Sequence, residues 1–344
     1  MTVTNNQVKV FRHLDLDGYG VGIVAKAIFG VDMVDETPCE NHEVDAKVKE
    51  FLDSGEYIFY DMIIVGDLSF GKEVADIIES HENLRKKFLL VDHHKTALWL
   101  NNYSFAKVEV ERNGLKASGT SSLLEILLEQ GYDVEDEYSL SALQSFAEKV
   151  RRYDTWDWKN IYSDEKANML NQLYYMVGHE LFGESMLEKL SSKNTHYFVD
   201  GEWDGLFTSS EIRLLKVENT RMEKYIDKRC DRARFCEQKG YSFAYVYADQ
   251  YHSQLGNKMC ELFNVDFAMI IDIDKGKVSL RSIGDRFDVS VIAEEHGGGG
   301  HKNASGFMFD VDHNLIMDSV LNERNETKKE SFISKIVKFI DNLL

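Results

Sequence analysis

The sequence predicts an α/β chain: an N-terminal doubly wound parallel sheet, a helical connector and a smaller C-terminal α/β domain. Three observations lead there. Over roughly the first 160 residues, short β-branched runs alternate with helical stretches, the pattern of strand–helix–strand units. That character disappears between about Asn168 and Glu237, where Ile212–Cys236 carries apolar residues at helical spacing among many charges. It returns in YSFAYVYA, DFAMIIDI and KVSLRSI, followed by the glycine-rich HGGGGHKNASGF. At 344 residues the chain is too long for one ordinary domain of about 100–200 residues and comfortable for two. The expected parts are residues 1–165, the sheet domain; 166–237, the connector; 238–311, the second domain; and 312–344, a tail closing in an amphipathic helix over Glu330–Leu344.

In chain order, the predicted strands are Val8–His13, Met62–Asp67 and Phe88–Asp92, apolar runs short enough to be strands buried on both faces. Helices are expected over Tyr19–Phe29, Val44–Leu52, Lys72–Ser80, Ser122–Gln130 and Ser139–Val150. Gly18 and Gly20 let the chain turn tightly from the first strand into the first helix. Ser118-Gly-Thr120-Ser121, ahead of LLEILL, reads as a helix N-cap.

Composition excludes several classes. Hydrophobic residues at 43% and charged residues at 29% are an ordinary globular balance, against disorder or a fibrous repeat. No apolar stretch approaches the roughly 18 residues of a membrane span, and the start MTVTNNQVKVF lacks a basic-then-apolar signal pattern. A cytoplasmic location without a membrane partner is expected. The four cysteines form no C-x-x-C pair and read as reduced thiols rather than a disulfide framework or zinc site. A net charge of −19 opposes nonspecific binding to long nucleic acid, where lysines and arginines must replace counterions along many phosphates. A polyanion handled by this chain should be short or gripped locally.

Chemistry-bearing residues collect at the strand ends. His13, Asp15 and Asp17 follow the first strand and share one face of an extended chain, although Asp/Gly clusters are also common turn chemistry. Asp67 follows Met-Ile-Ile-Val-Gly, and Asp92-His93-His94 follows Phe-Leu-Leu-Val. In an open parallel sheet these are the carboxyl ends of the strands, where ligands bind. Mixed carboxylates and imidazoles suit Mn²⁺, Zn²⁺ or Fe²⁺ better than ions preferring all-oxygen shells. The ligand groups are too many for one ion, and two ions about 3.5–4 Å apart form the clamp used for displacement at phosphorus. Asp154 or Asp157 is placed to complete the ligand shell of the second ion. The neighbouring Trp156 and Trp158 are expected to pack rather than stack on bases, since buried aromatics outnumber exposed platforms. Further on, Gly297–Gly300 offers consecutive unencumbered N–H groups, an anion nest expected to lead into a helix. Between Asp274 and Gly306 five basic residues balance five acidic ones, so Arg281 sits in a relatively electropositive segment and can fork onto a phosphate.

Taken together and in this order, these residues resemble the DHH/DHHA1 phosphoesterase family. His13-x-Asp15-x-Asp17-Gly18 is similar to its first motif, Asp67 to its second, Asp92-His93-His94 to the motif that names it, Asp154 to its fourth, and GGGGHKNASG to its C-terminal glycine-rich motif. The resemblance implies that His13 and Asp15 hold one metal, that Asp17, His93 and Asp154 hold another, and that Asp67 bridges both. It further implies that His94 faces the scissile phosphate and Asp92 orients a ligand histidine. Mn²⁺ is the implied metal, two ions per site, with Mg²⁺, Co²⁺ or Fe²⁺ as substitutes. The C-terminal domain would hold a nucleotide or the end of a short nucleic acid through Arg281, Ser282, Gly299, Gly300 and His301. With only Leu14 between His13 and Asp15, the first motif is similar to the RecJ and nanoRNase B branches rather than to the pyrophosphatase and cyclic-dinucleotide branches. Asp154-Thr-Trp also resembles nanoRNase B.

The expected activity is a Mn²⁺-dependent exonuclease removing nucleoside monophosphates from very short single-stranded RNA or DNA, with Asp67, Asp92 and His94 in the reaction. One alternative is the same chemistry on a cyclic or linear dinucleotide or on 3′-phosphoadenosine 5′-phosphate. Another, of a different class, is a non-catalytic nucleotide-binding module. The connector is expected to serve as a homodimer contact or a hinge.

Overall fold

In the computed structural model, residues 7–199, 202–238 and 240–311 are described. The tail expected over 312–344 lies outside them. Contacts divide the chain into two units, Met1–Leu215 and Lys216–Leu344.

The first unit begins β1 (Val8–Arg12), α1 (Leu16–Phe29), β2 (Val34–Pro38), α2 (Val44–Ser54), β3 (Met62–Gly66), α3 (Lys72–Ser80), β4 (Phe88–Asp92) and β5 (Ala106–Val108). Helices α4 (Gly119–Glu129), α5 (Leu140–Asp154), α6 (Glu165–Val177) and α7 (His179–Leu190) follow. The five strands form one parallel sheet in the order β2-β1-β3-β4-β5. Alternate residues serve opposite layers, as strand geometry requires. Val8, Val10, Ile64, Leu89 and Val91 pack with α1, α4, α5, α6 and α7, whereas Phe11, Ile63, Val65, Phe88 and Leu90 pack with α2 and α3. The sheet is therefore doubly wound, and its order reverses at β1 and β3, which opens a crevice beyond their carboxyl ends.

Boundaries differ from expectation for local reasons. β3 stops at Gly66 because Asp67 adopts a left-handed backbone, φ 55°, that leaves the ladder. α1 starts at Leu16 because Asp15 caps it, its carboxylate accepting from the Gly18 N–H at 3.0 Å. α5 runs on to Asp154 and so carries that carboxylate in its last turn.

The segment expected as a separate connector, 166–237, is divided. Leu170, Leu173 and Tyr174 of α6 and Phe182, Met186 and Leu190 of α7 are buried in the cluster that holds α1. Their spacing makes an apolar stripe, and a helix with such a stripe packs on the nearest core rather than standing free. The buried Lys189 ammonium reaches both oxygens of Glu211 at 2.7 Å, tying α7 to the start of α8 (Ser209–Cys230), within which the first unit ends.

The second unit holds β6 (Arg234–Gln238), β7 (Tyr241–Tyr247), α9 (His252–Phe263), β8 (Phe267–Asp272), β9 (Lys277–Ser282), α10 (Val289–Glu295), β10 (Gly299–His301) and β11 (Ala304–Met308). Its six-stranded sheet has the order β6-β7-β8-β9-β11-β10, parallel only between β7 and β8, which α9 connects. The glycine run does not lead into a helix as expected. It follows α10 and becomes the edge hairpin β10–β11. A Cβ on Gly298 would lie 2.2 Å from the Gly306 carbonyl oxygen, and Gly300, at φ 138°, would meet Ala304 and Ser305, so close backbone approach demands glycine there.

Candidate metal centre

The first-motif loop leaves β1 at the switch point. A Cβ on Gly18 would come within 2.6 Å of His13 atoms, so glycine allows the loop to fold back over that histidine. His13 Nδ1 then lies 3.0 Å from Asp15 Oδ2 and 3.7 Å from Asp67 Oδ2. Burial disfavours the Asp15 charge, but the hydrogen bond and charge of His13 outweigh it and hold its pKa down to about 2.

Asp17 is buried, with only 2% exposed, and is held from a distant part of the chain. Its carboxylate accepts from the Gly119 and Thr120 N–H groups at 2.5 and 3.0 Å, the first turn of α4, and its carbonyl accepts from the Thr120 hydroxyl at 2.6 Å. A helix N-terminus favours negative charge, so α4 fixes a carboxylate that would otherwise be costly to bury. Sequence reasoning saw only the cap, and Ser118 does cap α4 through the Ser121 N–H. The pairing across more than a hundred residues had no sequence signal.

Asp67 stands between the two groups. His93 Nε2 lies 3.2 Å from Asp67 Oδ1, 3.4 Å from Asp154 Oδ2 and 3.8 Å from Asp17 Oδ2. Asp67 Oδ2 is buried without a hydrogen-bond partner among the described residues. Burial, then the charges of Asp15 and Asp17, push the Asp67 carboxyl well above the usual range, and burial followed by the same two neighbours does so for Asp154. Ligand atoms of His13, Asp15 and Asp67 lie within 4.8 Å of one another, as do those of Asp17, His93 and Asp154. Crowded carboxylates with an orphaned oxygen fit divalent cations, which neutralise them and accept the lone pair. Of the two candidates left open by the sequence, Asp154 joins this cluster. Asp157 does not: it is buried against Arg151 Nη1 at 2.9 Å and Lys116 Nζ at 3.6 Å.

Asp92 holds His94 rather than the ring of His93. Its Oδ1 lies 2.7 Å from His94 Nδ1, and on His93 it accepts from the backbone N–H at 2.7 Å. The bond from Asp92 raises the His94 pKa, while burial lowers that of His93. The two rings lie 4.4 Å apart, with His94 the more exposed at its side chain.

The tryptophans differ. Trp158 is buried and stacks near Tyr153, while Trp156 is 42% exposed, at φ 61°, stacked on Trp158 with centroids 5.9 Å apart. The packing expected of both therefore holds for Trp158 and not for Trp156.

In the second unit, Arg281 donates to the Leu280 carbonyl at 2.8 Å and the Ser253 hydroxyl at 2.7 Å, with no carboxylate in ion-pair range among the described residues. The Ser282 hydroxyl donates to the Phe287 carbonyl at 2.7 Å, a backbone task rather than an open one. Gly299, Gly300 and His301 lie exposed on the edge hairpin. Sequence reasoning also passed over Tyr153, Asn171 and Tyr175, which line a cleft with Asp15, Asp17 and Asp154.

Residues 241–341 match the DHHA1 domain family. The oligoribonuclease NrnB of Bacillus subtilis is 34% identical over 300 residues, spanning 86% of this chain and 71% of that protein. A 3′,5′-cyclic-nucleotide phosphodiesterase of Helicobacter pylori is 26% identical, spanning 88% of this chain and 93% of that one. A solved DHH domain from a member of the S1p family of ribosomal proteins shares the fold at a TM-score of 0.52 and 13% identity, covering 93% of this chain and 86% of that one. Identity at the level of the Bacillus protein, across most of both chains, leaves one assignment: the chain belongs to the DHH/DHHA1 phosphoesterase family, in the branch that includes nanoRNase B and RecJ.

Proposed function

We propose that this phosphoester hydrolase is a metal-dependent exonuclease that shortens RNA or DNA oligomers of a few residues to nucleoside monophosphates. The observation that carries the reading is Asp67, buried in one ligand triad with His13 and Asp15, 3.2 Å from His93 of the other triad, and with one oxygen unpartnered. When bound, two divalent ions, Mn²⁺ by preference with Mg²⁺, Co²⁺ or Fe²⁺ as substitutes, supply the charge that lets a phosphodiester approach these carboxylates and the activation of the attacking water.

The protein's own groups do the rest. His13 and Asp15 form one ligand set, Asp17, His93 and Asp154 the other, and Asp67 serves both. Asp92 fixes the orientation of His94 and favours its protonated form, so the exposed side of that ring can donate to a phosphate oxygen or to the leaving oxygen. In the second unit, the Arg281 guanidinium lacks a carboxylate partner among the described residues and keeps N–H groups for a phosphate of the chain end, beside Ser282 and the Gly299–Gly300–His301 edge. A charge of −19 favours a substrate with few phosphates. The relatives named oligoribonuclease and cyclic-nucleotide phosphodiesterase support phosphodiester chemistry at this site.

The test is a Mn²⁺-dependent time course on an end-labelled RNA pentamer beside a cyclic dinucleotide, 3′-phosphoadenosine 5′-phosphate and a 24-mer, on wild type and on the double variant Asp92→Ala/His93→Ala. A ladder of shortened pentamer, slow on the 24-mer and absent in the variant, is expected. Turnover confined to the cyclic dinucleotide or to the mononucleotide would overturn the exonuclease assignment and keep the hydrolytic site.

A further inference from the structure

The cleft beside the carboxylates has a wall that no catalytic motif supplies. The cleft measures about 130 Å³ and is lined by the carboxylates Asp15, Asp17 and Asp154 together with Tyr153, Asn171 and Tyr175. Asn171 and Tyr175 belong to α6, in the segment that the sequence offered only as a homodimer contact or a hinge. Full ligand pockets run to about 300–1,000 Å³, so this space takes a single sugar or base and not an oligomer.

These lining groups are of two kinds. The carboxylates repel phosphate until cations neutralise them, and a phosphodiester would turn toward them once cations were bound. The other three are neutral, and two of them are aromatic. Tyr175 is 61% exposed, so much of its ring is open to a ligand. It is not loosely placed, because its ring meets Tyr174 edge-on at 5.0 Å. Tyr174 is buried, stacks on His179 at 4.9 Å and donates its hydroxyl to the Leu14 carbonyl at 2.6 Å, inside the first-motif loop. The exposed face of Tyr175 is thus braced on the same loop that presents His13 and Asp15. Beside it, Asn171 Nδ2 donates to the Tyr153 hydroxyl at 2.8 Å, which leaves the Tyr153 proton to donate and Asn171 Oδ1 to accept. One donor and one acceptor next to an open ring suit a sugar hydroxyl and a base.

We infer that Tyr175, with Asn171 and Tyr153, forms a nucleoside subsite of the catalytic unit: the base of the nucleotide beside the scissile phosphate stacks on Tyr175, and its sugar lies against the Asn171–Tyr153 pair. The inference rests on the proposed oligonucleotide reading and adds where the nucleoside is held. Stacking is tolerant of base identity because every base has a π-face, so the subsite gives affinity for a nucleotide end without sequence preference.

The experiment uses the full chain with Mn²⁺ and a 5′-phosphorylated RNA trimer, together with trimers lacking the base at one end or the other. Tyr175→Ala is expected to raise KM for the intact trimer about 5- to 100-fold, the range of one lost stacking contact, with a smaller change in kcat. Tyr175→Phe keeps the ring and should stay near wild type. Removing the base at one end should cost wild type a similar factor and cost Tyr175→Ala little, since the contact is already gone. Wild-type KM in Tyr175→Ala, or equal penalties for base removal in both proteins at both ends, would overturn the subsite. If wild type cleaves no trimer, the oligonucleotide reading fails separately. The subsite is then read from the fluorescence of 2-aminopurine ribonucleoside 5′-monophosphate with Mn²⁺: quenching by wild type and not by Tyr175→Ala supports it, and no quenching by wild type rejects it.

Discussion

At the scale of the residue, the centre is governed by which carboxylates have partners. Asp92 has several, among them His94 and Ser69, and the His94 bond together with the charges of both histidines outweighs burial to keep its pKa low. Because Asp92 raises the His94 pKa, Asp92→Asn should lower it. If protonated His94 is needed, the alkaline limb of the kcat/KM profile then moves to lower pH while the acid limb stays; an unmoved alkaline limb would remove His94 as the proton donor. Asp67 has the opposite problem. Its raised pKa means that this one group's contribution to the stability of the metal-free fold is fully present below the ordinary carboxylate value of 3.8 and is lost as pH rises through the elevated value. Asp67→Asn should therefore abolish turnover yet raise the melting temperature of the metal-free protein at neutral pH, by about 2–4 °C for each kcal/mol relieved. An active Asp67→Asn enzyme, or one melting lower than wild type, would contradict the bridging role.

At the scale of the element, α4 and α6 do more than fill the layer above the sheet. The first turn of α4 carries the N–H groups that hold Asp17, and a Cβ on Gly119 would stand 2.7 Å from Asp67 Cβ. Gly119→Ala should therefore displace either Asp67 or the start of α4. The expected result is a loss of about 10²-fold or more in kcat/KM, the scale of a misplacement near 1 Å, with weaker Mn²⁺ binding by titration calorimetry. Wild-type Mn²⁺ affinity and rate in that variant would show that the close approach is idle. None of this is visible in the SGTS tetrapeptide, which announces only a helix start. Likewise α6 falls in a segment expected only as a helical connector, and the burial of Leu170 and Leu173 decides that Asn171 and Tyr175 face the site.

At the scale of the whole molecule, net charge and metal loading act together. If Mn²⁺ binds at Asp67 and Asp154, whose raised pKa values favour the protonated forms, it must displace protons there, and the rise in melting temperature on adding Mn²⁺ should grow with pH. A pH-independent rise would mean that these carboxyls are not the ligands. A background of −19 leaves room for few phosphate contacts, so a shallow salt dependence is expected. Arg281→Ala should raise KM for short oligomers and flatten the slope of log KM against log salt by about 0.7, one single-strand phosphate contact. An unchanged slope would remove Arg281 as the anchor. Among the described residues no helix is long and apolar enough to cross a membrane.

The sequence by itself determined the doubly wound sheet and the strand ends that carry chemistry, because alternating apolar runs and the polar residues that end them are local patterns. It also determined the order of the motifs, and with it the family. The local pattern left Asp154 and Asp157 open and the motif resemblance chose Asp154; the tertiary structure shows the physical reason, with Asp154 at His93 and Asp157 held by Arg151. Only the tertiary structure paired Asp92 with His94, seated Asp17 on the N-terminus of α4, turned the glycine run into a hairpin and brought α6 to the site. Each of these joins residues that are remote in sequence or chooses between neighbours, and such choices follow from packing, which no single stretch of chain encodes.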